Sequence, residues 1–309
     1  MIVDVSKKIL IVGLGLLGGS YARVLKRFGF HISAITKEQS SIDYAINEGI
    51  IDEGSTELDE EIIGNADLVI FALYPHVFVE WIENNQKLLK SGAIITDVTG
   101  VKRSIVYKIQ DILRDDVEFI AAHPMAGREV SGVENSTDKM FQGANYIVTP
   151  TDKNTPEAIN TCLELGRLLG FSNVTTLSPE EHDEMIGFLS QLTHCIAITL
   201  MTCNDRENME KFTGDSFRDL TRIARINDLM WSELFVANKD ALLSQMDMFM
   251  DKFKELKTML ETEDIDGMRK MMRHSTDRRA LFDKKYVKDC CRQAVKCLCY
   301  EKQYHITRA

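Results

Sequence analysis

The chain has 309 residues, more than one hydrophobic core usually organises, so two domains are expected. Its 44% hydrophobic and 27% charged residues, with only five prolines, exclude a disordered or collagen-like chain. A net charge of −10 argues against nucleic acid as the main partner, although an acidic exterior can enclose a basic pocket for a small anion.

The start, MIVDVSKKILIVG, has no basic flank ahead of an apolar stretch and runs straight into a strand pattern, so no signal peptide is expected. No apolar run reaches membrane-spanning length, and no membrane partner is expected. The seven cysteines are an odd number, scattered except for Cys290, Cys291, Cys297 and Cys299. Reduced thiols in the cytoplasm are the expectation. That terminal group, with His305 beyond it, lacks a paired C-x2-C spacing, so no metal site is expected.

The first half alternates apolar strand runs with helically spaced stretches, the pattern of a doubly wound, mainly parallel α/β sheet of Rossmann type. The first run, KKILIVG, leads into Gly13-Leu14-Gly15-Leu16-Leu17-Gly18 and then a helical stretch, SYARVLKRFG. In that context the first glycine makes a tight turn and the second admits a pyrophosphate. The third lets helix pack on strand, with the helix N-terminus facing the anion. The second run, HISAIT, ends at Thr36, where an NAD site usually has a carboxylate for the adenosine ribose. Thr36, Lys37 and Ser40 offer hydroxyls and an ammonium instead, which favours NADP over NAD. Glu38 could still serve a ribose, and Lys37 could be a solvated surface charge.

The next runs are ADLVIFAL, ending in Leu73-Tyr74-Pro75; GAIITDV, ending in Thr96-Asp97-Val98-Thr99-Gly100; and VEFIAA, ending in His123-Pro124. In an open parallel sheet these carboxyl ends share a crevice with the glycine loop. Leu73, Tyr74, Asp97 and Val98 therefore join Gly13, Gly15, Leu16, Leu17 and Gly18 as candidate cofactor contacts. His123 falls near the reactive end of a bound dinucleotide. A neutral imidazole there suits a general base that takes a hydroxyl proton as hydride leaves the same carbon. Pro124 and Gly127 would shape the loop, and Arg128 would offer a cation to an anionic substrate or simply face solvent.

NYIVTP is followed by a helix opened by Thr155-Pro156-Glu157 and closed at Gly170, then by a last short strand, NVTTL. At Ser178-Pro179-Glu180-Glu181 a capping box starts a region without strand pattern. The expected domains are therefore residues 1–177, which bind the dinucleotide, and 178–309, all helical. MIGFLSQLTHCIAITLM is apolar nearly all round, as in a buried helix, but Ser190, Gln191 and His194 share one face and suggest a pocket wall. SFRDLTRIARINDLMW places Arg218, Asp219, Arg222 and Arg225 within two helical turns, either a solvated face or a guanidinium fork for a carboxylate. Leu242, Met246, Phe249, Phe253, Leu256 and Leu260 form a heptad seam, suited to a core helix or to a homodimer interface.

The segments GLGLLGGS, DVTGVK (97–102), AAHPMAGREVSGVE (121–134), SQLTH (190–194) and FRDLTRIA through MW (217–231), in this order, resemble the prephenate and arogenate dehydrogenases of tyrosine biosynthesis. The resemblance spans most of the chain. It implies oxidative decarboxylation of prephenate to 4-hydroxyphenylpyruvate, or of arogenate to tyrosine, with hydride passing from the ring C4 to NADP or NAD. It implies that His194 binds substrate, that Arg222 takes the ring carboxylate, and that Trp231 and Asp219 support them.

Three positions depart from the family pattern. The family's D-x-x-S-x-K serine, which assists the catalytic histidine, is Gly100 here, with Thr99 the nearest substitute hydroxyl. The residue after HPMAG, usually Ser or Thr, is Arg128, a candidate second carboxylate clamp. The proline common before the second histidine is Thr193. Two rivals remain: a hydroxyacid dehydrogenase of the 6-phosphogluconate type, which relies on a lysine base, and a non-catalytic dinucleotide sensor, which the loss of the serine would suit.

Overall fold

The computed structural model describes residues 4–128 and 130–282. In chain order the elements are β1 (Lys8–Val12), α1 (Leu16–Arg27), β2 (His31–Ile35), α2 (Gln39–Asn47), β3 (Glu53–Ser55), α3 (Glu60–Asn65), β4 (Leu68–Phe71), α4 (Pro75–Asn85), β5 (Ile94–Asp97) and α5 (Arg103–Ile112). Then come β6 (Glu118–Phe119), β7 (Ala121–Met125), β8 (Asn145–Thr149), α6 (Pro156–Leu168), β9 (Asn173–Thr176), α7 (Pro179–Ile186), α8 (Leu192–Thr202), α9 (Asp215–Thr221), α10 (Asp228–Ala237), α11 (Lys239–Glu261) and α12 (Ile265–Ala280). Among the described residues beyond 178 there are helical segments and no strand.

Strands β1 to β6 form a parallel sheet in the order β3-β2-β1-β4-β5-β6, the doubly wound arrangement expected from the alternating pattern. Both faces are covered. Ile9 and Ile11 pack with Tyr21, Leu25 and Ile32 on one side, while Leu10 and Val12 pack with Phe71, Phe78 and Trp81 on the other. Two buried faces explain why the strands read as continuous apolar runs rather than alternating ones. Strand order reverses between β1 and β4, so the glycine loop lies at the topological switch point.

Three strand expectations are corrected. β3 is an added edge strand of only three residues, Glu53-Gly54-Ser55, too short and polar to read as a strand run. The single run VEFIAA divides into β6, which pairs with β5, and β7, which leaves the large sheet. NYIVTP, as β8, pairs antiparallel with β7 and parallel with β9 in a separate three-stranded sheet. Asp97 makes the transition: Ile120 N–H still donates to the Ile95 carbonyl (3.0 Å), but Ala122 N–H donates to Asp97 Oδ1 (3.1 Å). His123 is therefore the central residue of β7, opposite Ile147, and not the last residue of a strand in the large sheet.

The capping box at Ser178 forms as expected, with reciprocal bonds between Ser178 and Glu181. The helix it opens runs through a π-helical segment, Gly187–Gln191, into α8. By length and composition this continuous helix, Pro179–Thr202, is apolar enough to cross a membrane, with mean hydropathy 1.4 over its best window. Taken run by run the sequence does not show this, because charged residues at 180–184 interrupt the apolar pattern. Nor is it a buried helix: Met185, Phe188, Leu189 and Met201 are exposed in the single chain.

By compactness the chain divides into two units between Asp247 and Met248. The heptad seam on α11 is buried at Leu242 and exposed at Phe249, Phe253 and Leu260. Cys290, Cys291, Cys297, Cys299 and His305 lie outside the described residues.

Candidate active site

The phosphate cradle is built by backbone. Gly13 has φ +97°, and a Cβ there would lie 2.4 Å from the Ala72 carbonyl oxygen at the end of β4. A Cβ on Gly18 would lie 2.1 Å from the Gly13 carbonyl oxygen, so both positions demand glycine. Gly15 differs: nothing lies within 4 Å of the space a side chain would take. It caps α1 without a side-chain hydrogen bond, and the first turn, where Leu16 and Leu17 are part-exposed, carries no acidic residue. Open space, a bare helix N-terminus and no competing carboxylate fit the pyrophosphate of a dinucleotide. At the end of β2, Thr36 donates its N–H to the Ser55 carbonyl, while Lys37 and Ser40 are exposed at the rim. Leu73 is part-exposed and packs near Gly13. Tyr74 caps α4 with an exposed ring.

Behind the cradle lies a buried polar network. Lys102 Nζ, with no exposed surface, donates to Asp97 Oδ2 at 2.7 Å and to Thr99 Oγ1 at 3.2 Å. The Thr99 hydroxyl also meets Asp97 and lies 3.0 Å from the Val101 carbonyl. Burial lowers the Lys102 ammonium from its ordinary value, opposed chiefly by Asp97. Asp97 is itself fully buried and, through Ala122 N–H, anchors the strand that carries His123. Asp97 and Thr99 are thus both engaged within the chain, as parts of the scaffold beneath His123. The Thr99 oxygen is taken up by Lys102, Asp97 and Val101. Val98 is buried, its N–H held by the Phe71 carbonyl.

His123 is only partly enclosed. Its Nδ1 lies 2.9 Å from His182 Nε2, and His182 Nδ1 lies 2.8 Å from Asp183 Oδ1. Asp183 in turn accepts the backbone N–H groups of Lys102 and Arg103 at 2.8 and 2.9 Å. The other nitrogen of His123, Nε2, faces Gly100: a Cβ there would sit 3.8 Å from it and 3.7 Å from Leu234 on α10. Burial, and then the fields of His182 and Lys102, hold His123 well below the ordinary histidine value, so its imidazole is neutral at physiological pH. His182 is lowered too, by burial first, against the opposing pull of Asp183.

The helical segments carry the other candidate residues. His194 stacks on Trp231 with ring centroids 3.7 Å apart, and its Nδ1 lies 2.9 Å from the Ser190 carbonyl. The π-helical turn places that carbonyl to receive the Thr193 hydroxyl as well, at 2.6 Å. Thr193, where the family often has proline, thus ties down the distorted turn. Gln191 does not line a pocket: it donates to the Leu234 carbonyl (2.9 Å), accepts from Asn238 (2.8 Å) and is fully buried. The expected continuous helix through Arg222 is also corrected, since α9 ends at Thr221 and Arg222–Ala224 form a 3-10 turn packed on α8. Arg222 and Asp219 are exposed. Arg218 is occupied by Asp215 and Thr213, and Arg128 donates to the Asn135 carbonyl at 2.6 Å.

Sequence reasoning missed His182, Asp183, Leu234 and Asn238. The adjacent His-Asp pair, one turn into a capped helix, was the available signal. No group of three or more metal-ligating side chains occurs among the described residues.

A dinucleotide cradle at the switch point with a neutral, oriented imidazole behind it defines a nicotinamide-dependent dehydrogenase. Comparison with known proteins gives the particular family. The model of the prephenate dehydrogenase nucleotide-binding domain matches residues 21–172, and that of the prephenate dehydrogenase dimerization domain matches residues 178–274. The chain is 30% identical over 280 residues to the prephenate dehydrogenase of Bacillus subtilis, covering 88% of this chain and 75% of that protein. It is 29% identical over 273 residues to the cyclohexadienyl dehydrogenase of Zymomonas mobilis, covering 85% and 91%. Among solved structures, prephenate dehydrogenase from A. aeolicus in complex with hydroxyphenyl propionate and NAD+ matches with TM-score 0.83 and 31% identity, over 90% of this chain and 98% of that one. The chain belongs to the prephenate dehydrogenase family.

Proposed function

We propose that the protein oxidatively decarboxylates prephenate to 4-hydroxyphenylpyruvate, with His123 as general base. The observation that carries this is the direction of the His123 ring: Nδ1 is engaged by His182, and Nε2 faces the space beside Gly100 and Leu234. The bound nicotinamide supplies the hydride acceptor. His123 Nε2 takes the C4 hydroxyl proton, the O–H electron pair becomes the C=O bond, and hydride leaves C4. The bond from C1 to its carboxylate then breaks, and that pair makes the ring aromatic, so the protein has mainly to hold the dianion in line.

His194, with Trp231 behind it, holds the substrate, and Arg222 takes the ring carboxylate. Both roles rest on the family pattern and on the packing of the Arg222 turn against the His194 helix. In the same reading, residues 1–177 carry the dinucleotide, while 178–309 bind substrate and pair with a second copy. The exposed Met185, Phe188, Leu189 and Met201 and the dimerization-domain match support a homodimer. Thr36, Lys37 and Ser40 at the ribose rim favour NADP over NAD. The scattered thiols suit a cytoplasmic enzyme.

Steady-state rates with prephenate and arogenate, crossed with NAD+ and NADP+, test the reading. The highest kcat/KM is expected for prephenate with NADP+. Fastest turnover of arogenate would move the assignment to that substrate, and absence of reduced cofactor in all four pairs would favour the sensor.

A further inference from the structure

Asp183 is held as an acceptor by two backbone N–H groups, those of Lys102 and Arg103. Its Oδ1 can therefore only receive a proton from His182 Nδ1. A neutral His182 that donates through Nδ1 has its lone pair on Nε2, and this nitrogen faces His123 Nδ1 at 2.9 Å. His123 must then donate through Nδ1, which leaves the lone pair on Nε2. The chain of donors has one direction, and it ends with the lone pair aimed at the space beside Gly100 and Leu234.

We propose that His182, backed by Asp183, is a positioning residue that holds His123 in the one tautomer able to receive the substrate's hydroxyl proton. This rests on the reading of His123 as base. The role matters here because Gly100 offers no hydroxyl to orient the imidazole from its open side. When the proton arrives at Nε2, the resulting cation keeps its Nδ1–H on His182, and no bond in the network has to reorient. The charges facing the two rings are Asp183 on the helix of His182, and Lys102 with Asp97 at the end of β5 and the start of α5. His182 and Lys102 act to keep His123 neutral, while Asp183 and Asp97 act to favour a proton on His182, so the pair is poised for a transient charge rather than a resting one.

The test compares wild type, His182→Gln and His182→Leu, each with and without Gly100→Ser, using prephenate with either cofactor. Glutamine can still accept from His123 and donate to Asp183, whereas leucine can do neither. His182→Leu is expected to lower kcat about thirtyfold or more, a part of the ~100- to 10,000-fold that a general base supplies, with KM and cofactor affinity changed less than about threefold. His182→Gln is expected to recover most of that loss. A serine at position 100, whose Cβ would stand 3.8 Å from Nε2, is expected to raise kcat of the leucine variant by a larger factor than that of wild type.

Unchanged kcat in His182→Leu would overturn the proposal, as would equal losses in both variants. Should wild type turn over neither substrate, the base reading fails first. The tautomer is then read directly by 15N NMR of the imidazoles, where a protonated Nδ1 on His123 in wild type but not in His182→Leu supports the positioning role, and a protonated Nε2 in wild type refutes it.

Discussion

The two ends of the candidate site are built on opposite principles. At the base end Asp97, Lys102 and His182 are fully buried, and their side-chain polar atoms are engaged within the chain. At the carboxylate end Asp219 and Arg222 stand exposed on a short helix and a 3-10 turn. Fixing a proton acceptor requires dipoles that do not reorganise, and burial provides that. A guanidinium meant to meet an incoming anion is better kept near water, since burying an ion costs several kcal/mol, as a general estimate for a desolvated charge. The base end is thus rigid and enclosed, while Asp219 and Arg222 remain open to solvent in the single chain.

The sharpest way to break the contrast is to remove a charge from the buried end. Lys102→Met leaves Asp97 buried and unpaired, and a loss of about 3–5 kcal/mol in unfolding free energy is expected. Urea denaturation checks it, and a loss below about 1 kcal/mol would mean that Asp97 relaxes into water. At the open end the same kind of change should spare the fold. Arg222→Gln is expected to raise the substrate KM by about ten- to a hundredfold, the worth of a charge-assisted pair, while thermal stability holds. An effect confined to cofactor affinity would take Arg222 out of the substrate pocket.

Acid distinguishes the ends more gently. His123 and His182 are both held below the value of an unfolded histidine. As pH falls the unfolded chain therefore binds protons first. The stability these rings contribute is complete above about pH 6.5 and is lost as pH drops through their folded values, by up to ~1.4 kcal/mol per pH unit for each. Melting temperature should fall below pH 6.5 in wild type and less steeply in His182→Gln. Equal slopes would place the acid sensitivity elsewhere.

What was legible in the sequence was local chemistry. The glycine loop could be read because Gly13 and Gly18 answer to backbone contacts that any side chain would violate. His123 stood out because a histidine closes an apolar run, although it proves to be the central residue of β7 in the smaller sheet. The division of VEFIAA into two strands could not, since it turns on a tertiary bond from Ala122 to Asp97. Gln191 was misread because helical periodicity assigns a face, and the π-helical turn changes that face: Gln191 turns to Leu234 and Asn238 while His194 meets Trp231. His182 was overlooked because its partner lies 59 residues away.

The claim that His123 is the base is tested most directly by the turnover number of His123→Asn with prephenate, measured beside its cofactor dissociation constant. A fall in kcat of at least about a hundredfold, with cofactor affinity kept, is the expected result. Turnover equal to wild type would contradict the account.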